Sequence, residues 1–184
     1  GAGGMLECEE AYRYHHTGMY KKVRFSRFSS LCCASSGDHI ASKLSLMGPK
    51  TTFMTACSSG ATAIGYARDL LSNNMAKIII AGGTEPLSRI TYASFNSLKV
   101  VDKEYCKPFD KNRQGLSLGE GAGIMILESL GHAQSRGARI YGEVLGYGVS
   151  CDSYHMTAPD PKASGAVRCM HAALQDAGVH HTLV

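Results

Sequence analysis

The stretch TFMTACSSG, residues 52–60, constrains the fold of this chain more than any other part of it. A β-favouring run from Thr51 to Thr55 stops at Ala56, and the small residues after Cys57 open an apolar helix that we predict over 58–73. Cys57 is therefore expected at a sharp turn from strand to helix. The first backbone N–H groups of a helix lack intrahelical partners and favour negative charge, so this position favours the thiolate of Cys57.

A thiolate at such a turn is a nucleophile that acyl groups can reach. Ser58, Ser59 and Gly60 are small, so an acyl group can approach both the sulfur and the backbone N–H groups behind it, which can serve as an oxyanion hole. The competing interpretation is that Cys57 is one more buried small residue. The turn alone leaves both interpretations open.

Strands and helices alternate along the rest of the sequence, which predicts an α/β fold with a largely parallel sheet. The length of 184 residues suits one domain with a sizeable core, and two small domains are a second arrangement compatible with it. The predicted strands are 51–55, 76–82 (buried on both faces), 122–128 and 140–148. The predicted helices are 5–14, 38–47 (capped by Asp38), 58–73, 90–98, 129–136 and 163–177.

Composition excludes several classes of function. No segment has the length and apolarity of a membrane span, and no secretion signal is evident. Seven cysteines at irregular spacing support neither a disulfide framework nor a zinc module, so we expect a reducing, cytoplasmic setting and no metal. The net charge of +4 is mild, and it favours an acidic partner over nucleic acid.

Two further motifs suggest chemistry. Residues 119–123 (GEGAG) look like a dinucleotide-binding loop, but they precede a predicted strand instead of following one, so the motif fails its context test. His155 lies near Asp152, which can orient an imidazole; a local structural hydrogen bond is the favoured interpretation.

In several motifs that follow one another in order, the sequence resembles the β-ketoacyl-[acyl carrier protein] synthases of the thiolase-like superfamily. The similarity is greatest to the elongating, type II condensing enzymes and their polyketide ketosynthase relatives, and it runs from Gly1 to about Gly178. The motifs that carry it are TACSSG, IIIAGGTEPLS, KPFD, GLSLGEGAGIMILE and IYGEVLGYGVSCDSYHMTAPDP.

The resemblance implies a layered α/β/α/β/α fold and a homodimer or a ketosynthase heterodimer. It implies that Cys57 takes an acyl chain from the phosphopantetheine of acyl carrier protein. Malonyl carrier protein then loses CO2, and its carbanion attacks the thioester to give a 3-oxoacyl product for fatty-acid or polyketide synthesis. Such enzymes need no metal or redox cofactor and use acyl and malonyl thioesters as substrates.

The resemblance also assigns roles to individual residues. Cys57 matches the nucleophile, and its backbone N–H matches one oxyanion-hole donor. The remaining matches are to the acyl pocket (Ala2, Gly3 and Phe95, with the small Ala2 implying a deeper pocket), to a gating loop (Asp152 and His155), and to basic positions facing the carrier protein (Lys21, Lys22 and Lys99).

The sequence departs from the family pattern in one respect. The two histidines, the lysine and the glycine-rich loop of the family's second half have no matching segments here, and the family's opening strand has none before Gly1. We therefore expect residues 1–184 to be an internal or N-terminal-half fragment of a single ketosynthase domain, with the start of the second half. Alone, it is expected to expose apolar surface and to be incomplete for full activity.

Two alternatives remain open at this point. A non-catalytic partner subunit of the chain-length-factor type has the same fold, but such subunits commonly lack the nucleophile. A thiolase or another acyltransferase can transfer acyl groups through Cys57 without decarboxylation, although KPFD and SYHMTAPDP favour the carrier-protein synthases.

Overall fold

The computed structural model describes residues 5–22, 32–156 and 158–183. Within them, six α-helices and two strands follow one another along the chain. These are α1 (Met5–His16), α2 (Ser35–Lys43), α3 (Ser59–Ser72), β1 (Ile78–Glu85), α4 (Arg89–Ser97), β2 (Gly121–Glu128), α5 (Leu130–Ser135) and α6 (Ser164–Ala177). Single 3-10 turns occupy Tyr20–Lys22, Ala56–Ser58 and His181–Leu183. In this described part of the chain, no helix combines the length and the apolarity that crossing a membrane requires.

The chain divides into two compact units. The first comprises Gly1–Ala63 and Gly82–Met125, and the second comprises Ile64–Ala81 and Ile126–Val184. In the first unit, α1 packs against α4, and the Glu9 carboxylate accepts a hydrogen bond of 2.7 Å from the Ile90 N–H. The Ser88 hydroxyl caps the same helix by accepting from the Thr91 N–H at 3.1 Å. Two backbone N–H groups at the start of α4 therefore bond to side chains, one from α1 and one from the residue before the helix.

In the second unit, charged groups fix an extended segment between α3 and α6. The Arg68 guanidinium donates to the Leu145 carbonyl at 2.8 Å and pairs with Asp176 of α6 at 3.0 Å. Asp176 also accepts from the Tyr147 N–H at 3.0 Å. Because Arg68 and Asp176 contact both each other and the backbone between them, residues 145–147 are held without belonging to a sheet.

The sheet is smaller than the sequence predicts. β1 and β2 pair in a two-stranded sheet, but residues 51–55 and 140–148 form no strand in the part of the chain that is described. A β-strand forms only when its backbone is hydrogen-bonded to a neighbouring strand. Residues 140–148 have no neighbouring strand among the described residues; instead, Arg68 and α6 contact part of this segment. The predicted burial of β1 on both faces is also wrong, because Ile78 is 50% exposed.

The predicted helix 38–47 is shifted toward the N-terminus. α2 spans Ser35–Lys43, so Asp38 lies inside the helix, where its carboxylate pairs with Lys50 at 2.5 Å instead of capping. Ala34 occupies the cap position, without a side-chain cap bond. The other predicted helices are confirmed to within about two residues at each end.

Apolar side chains are largely uncovered. The buried apolar residues of the described chain are few and mostly alanine: Ala41, Ala67, Leu71, Ala81 and Ala133. The accessible surface is 14060 Å², whereas a globular monomer of this mass exposes about 8,600 Å². This agrees with the expectation that the chain alone exposes apolar surface.

A three-residue ionic cluster attaches α5 to the end of β2. The Glu128 carboxylate bonds to the Arg136 guanidinium and, at 2.6 Å, to the His132 ring. Hydrogen bonds from Arg136 and then His132 lower the pKa of Glu128 from its ordinary 4.5 to about 2.

This cluster predicts a specific loss of stability in acid. Because the pKa of Glu128 is lower in the folded chain, its contribution is fully present above about pH 4.5 and disappears as the pH falls toward about 2. In urea unfolding, the stability of the Glu128→Gln variant should therefore change less over this range than that of the unsubstituted chain. Glu143→Gln, at an exposed position, is the control. Parallel pH profiles for the unsubstituted chain and Glu128→Gln would contradict the assignment.

Candidate active site

Cys57 lies in a single 3-10 turn, Ala56–Ser58, that leads directly into α3. Ala56 has a φ of 51°, in the left-handed region that L-residues other than glycine avoid at roughly 1–2 kcal/mol. The residue with this unfavourable conformation directly precedes the thiol. Cys57 is exposed, so the interpretation as a buried structural cysteine is wrong for this structure.

Serine hydroxyls hold this turn. The Ser59 hydroxyl accepts from the Thr55 N–H at 3.0 Å and donates to the Ala56 carbonyl at 2.7 Å. The Ser58 hydroxyl donates to the Thr55 carbonyl at 2.7 Å. These bonds satisfy backbone groups on both sides of Ala56 and so support its unfavourable φ. The sequence predicts small side chains here, and the structure shows that two of them also bond.

The start of α3 approaches β1 very closely. A Cβ atom at Gly83 would lie 3.3 Å from the Gly60 Cα, and one at Gly60 would lie 3.7 Å from the Gly83 Cα. Two glycines therefore allow the backbone of the helix to contact the backbone of the strand. Gly83 was not among the predicted site residues, although the pair Gly82-Gly83 inside a strand signals such an approach.

The other site residues predicted for the first unit differ in how far they are exposed to solvent. Phe95 is half-buried on α4, while Lys21, Lys22 and Lys99 are exposed. Lys21 and Lys22 lie in the 3-10 turn Tyr20–Lys22, which contacts α1, and Lys99 lies just after the end of α4. Ala2 and Gly3 lie outside the described residues.

Asp152 and His155 belong to the second unit, where each bonds to backbone. Asp152 accepts from the Asp160 N–H at 2.9 Å, and the His155 Nδ1 accepts from the Ala158 N–H at 3.2 Å. The local structural hydrogen bonding favoured from the sequence is confirmed. These hydrogen bonds hold the two side chains in place. A gating role for Asp152 and His155 remains a prediction.

Cys151 is a further exposed thiol that was not among the predicted site residues. Hydrogen bonding from Ser153, whose hydroxyl donates to the Cys151 Sγ at 3.6 Å, lowers the pKa of Cys151, and the charge of Arg168 adds to the effect. No spacing rule points to Cys151, because the effect depends on a local turn. Because Cys57 and Cys151 are both exposed, acylation of Cys57 can be compared with acylation of Cys151.

The described residues contain no cluster of three or more histidine, cysteine or acidic side chains able to hold a metal ion. The expectation that the protein needs no metal or redox cofactor remains a prediction.

Two family models match consecutive parts of the chain. Residues 2–133 match the beta-ketoacyl synthase N-terminal domain, and residues 141–184 match the beta-ketoacyl synthase C-terminal domain. The chain belongs to the beta-ketoacyl synthase family. The resemblance inferred from the motifs is thereby confirmed.

Curated relatives are bacterial synthases. The chain is 47% identical over 142 residues to 3-oxoacyl-[acyl-carrier-protein] synthase 2 of Rhizobium meliloti (strain 1021), a match that covers 73% of this chain and 34% of the relative. It is 38% identical to the protein of the same name from Coxiella burnetii (strain RSA 493 / Nine Mile phase I), over 97% of this chain and 45% of the relative. The chain thus spans less than half the length of these relatives.

Solved structures agree with this family. The ishigamide ketosynthase/chain length factor superposes with a TM-score of 0.89 at 35% identity, over 96% of this chain and 44% of that one. A type II PKS acyl-carrier protein in complex with its ketosynthase bound to the hexaketide (AntDE:AntF) gives a TM-score of 0.87 at 30% identity, over 98% and 47%. The chain has part of the thiolase-like α/β fold of these ketosynthases. That residues 1–184 form part of one ketosynthase domain remains a prediction.

The bonds of Ser59 predict the effect of its removal. Ser59→Ala leaves the Thr55 N–H without its side-chain partner and removes one of the two hydrogen bonds to the Ala56 carbonyl, so we expect the free energy of unfolding to fall by about 1 kcal/mol. Ser58→Ala removes one exposed bond and should have a smaller effect. Urea titration of both variants measures the difference, and an equal or larger effect for Ser58→Ala would show that Ser59 does not hold the turn.

Proposed function

We propose that Cys57 is the acyl-accepting nucleophile of a 3-oxoacyl-[acyl carrier protein] synthase. The observation that carries this proposal is the position of an exposed thiol on a strained, hydrogen-bonded turn at the start of α3. The dipole of α3 favours negative charge at its N-terminal end. Membership of the beta-ketoacyl synthase family supports the assignment.

The reaction proceeds in two steps. In the first, the Cys57 thiolate attacks the thioester carbonyl of an acyl chain on phosphopantetheine; a new thioester forms at Cys57 and the phosphopantetheine thiol leaves. In the second, malonyl carrier protein loses CO2, and the resulting carbanion attacks the Cys57 thioester. A carbon–carbon bond forms, the Cys57–acyl bond breaks, and a 3-oxoacyl chain leaves on the carrier protein.

In the first step the carbonyl oxygen becomes negatively charged. The backbone N–H of Cys57 is proposed as one donor to that oxygen, because it precedes the N-terminal turn of α3. The close approach of Gly60 and Gly83 keeps side chains away from one side of the turn. The turn is therefore proposed to supply both the nucleophile and one donor.

Lys21, Lys22 and Lys99 are proposed to face the acidic carrier protein. All three are exposed: Lys21 and Lys22 lie in the 3-10 turn after α1, and Lys99 lies just after the end of α4. Exposed positive charges increase the rate at which an oppositely charged protein associates. One structural relative is a ketosynthase in complex with its acyl-carrier protein, which supports a partner of this kind.

The remaining assignments follow the family resemblance. Phe95, with Ala2 and Gly3, is proposed to line the acyl pocket, and Asp152 with His155 is proposed to lie on a gating loop. The complete protein is proposed to be a cytoplasmic homodimer or ketosynthase heterodimer that acts in fatty-acid or polyketide synthesis. No metal or redox cofactor is invoked in either step.

Acylation of Cys57 can be tested by intact mass. After incubation with an acyl-phosphopantetheine thioester, we expect a single acyl adduct that is absent from Cys57→Ala, because Cys57 is an exposed thiol in the turn that leads into α3. Cys151→Ala is the matched control, since Cys151 is exposed and its pKa is lowered. Adducts that persist in Cys57→Ala, or that vanish in Cys151→Ala, would overturn the proposal.

A chain-length-factor type of partner subunit is the second candidate, because one similar structure is a ketosynthase/chain length factor. Such a subunit shapes a cavity and forms no acyl thioester. The exposed Cys57 argues against it, and the same mass measurement separates the two: a stable complex with a ketosynthase and no adduct at Cys57 would favour the partner subunit.

A further inference from the structure

Side-chain contacts attach residues 150–152 to the N-terminal part of α6. The Ser150 hydroxyl donates to the Gly165 carbonyl at 2.6 Å, and Arg168 donates to the Cys151 carbonyl at 2.8 Å. The carboxylate of Asp152 lies directly over Gly165. Residues 150–152 thus contact the helix at three points.

Gly165 provides the space that the Asp152 carboxylate fills. Gly165 is buried, and a Cβ atom built on it would lie 1.7 Å from the Asp152 Oδ1 and 2.9 Å from the carboxylate carbon. Any residue with a side chain would occupy the position that the carboxylate now holds. Glycine is otherwise unfavourable in a helix, so its presence needs such a reason.

From this position Asp152 connects to a second carboxylate. Its Oδ2 accepts from the Asp160 N–H at 2.9 Å. The Asp160 carboxylate accepts from the Lys162 N–H at 3.0 Å and from the Ser164 N–H at 3.3 Å, and it also bonds to the Ser164 hydroxyl. A continuous series of bonds therefore runs from Asp152 through Asp160 to the start of α6.

Two backbone positions in this region require such support. Ser153 has a φ of 51° and Ala163 a φ of 52°, both in the left-handed region that is unfavourable for residues with a side chain. Each lies one to three residues from one of the two aspartates. Local strain of this kind persists only where surrounding contacts maintain it.

We propose that Gly165 is a positioning residue: the space over its Cα holds the Asp152 carboxylate, which in turn fixes Asp160 at the start of α6. This inference deepens the proposed function, because Asp152 is one of the residues assigned to gating. According to this proposal, Asp152 is held against α6, and Gly165 is the helix residue that makes room for its carboxylate.

A methyl group at position 165 should displace the carboxylate without unfolding the helix. The nearest atom, Oδ1, is the end of a side chain that can rotate, and alanine is favourable in helices. The Asp160 N–H then loses its acceptor.

The test is amide hydrogen exchange of Asp160, measured by NMR in the 184-residue chain. For Gly165→Ala we expect exchange about tenfold faster, the effect of losing one hydrogen bond. Gly131→Ala is the matched control, because Gly131 is also the second residue of a helix and nothing lies within 4 Å of a Cβ built on it. Unchanged exchange at the buried Leu71 would show that the chain remains folded in both variants.

A double-mutant cycle then separates positioning from general loosening. Asp152→Ala should accelerate Asp160 exchange as much as Gly165→Ala does, and the double variant should show no further increase. Asp152→Asn keeps an acceptor and should restore most of the protection. Unchanged exchange in Gly165→Ala, or independent effects that multiply in the double variant, would overturn the proposal. Acylation of Cys57 is not part of this readout, so failure here is distinguishable from failure of the proposed function.

Discussion

The sharp turn between Thr55 and Ser59 is the constraint on which the candidate site depends. Ala56 adopts a left-handed conformation, and the Ser59 hydroxyl bonds to the backbone on both sides of it. This places Cys57 in solvent at the start of α3 instead of inside a strand. Gly60 and Gly83 then let the helix contact β1 closely. The exposed thiol at the start of α3 and the close contact of that helix with β1 therefore depend on the same short stretch of chain.

The apolar surface of the chain is the second constraint. In β2, the consecutive residues Ile124, Met125 and Ile126 are 47%, 51% and 67% exposed, although neighbouring strand residues point to opposite faces. Both faces of this strand are therefore apolar and uncovered, and strands of that composition are usually covered on both sides. The curated relatives are more than twice as long as their matching regions. Because the chain covers only 34% and 45% of these relatives, the chemistry that follows acylation is proposed for the whole protein and not for this chain alone.

Sequence reasoning succeeded where local signals decide the structure. The turn at Cys57 and the helices α1, α3, α4, α5 and α6 follow from small residues, apolar periodicity and breakers. It failed where distant contacts decide: residues 140–148 have the pattern of a strand, but Arg68 and Asp176 hold part of that segment against two helices. Asp38 is a residue type that favours helix N-caps, but it lies inside α2, where its carboxylate pairs with Lys50. Cys151 and Gly165 gave no signal, because their properties arise from neighbours brought together by a loop.

The most direct test of the central claim is a crystal structure of the protein after acylation. We expect an acyl group bonded to the Cys57 sulfur, with its carbonyl oxygen about 2.7–3.1 Å from the backbone N–H of Cys57. That result would show that the turn supplies both the nucleophile and the donor. An acyl group on another residue, or a Cys57 thioester whose carbonyl oxygen points away from the backbone of the turn, would contradict the account.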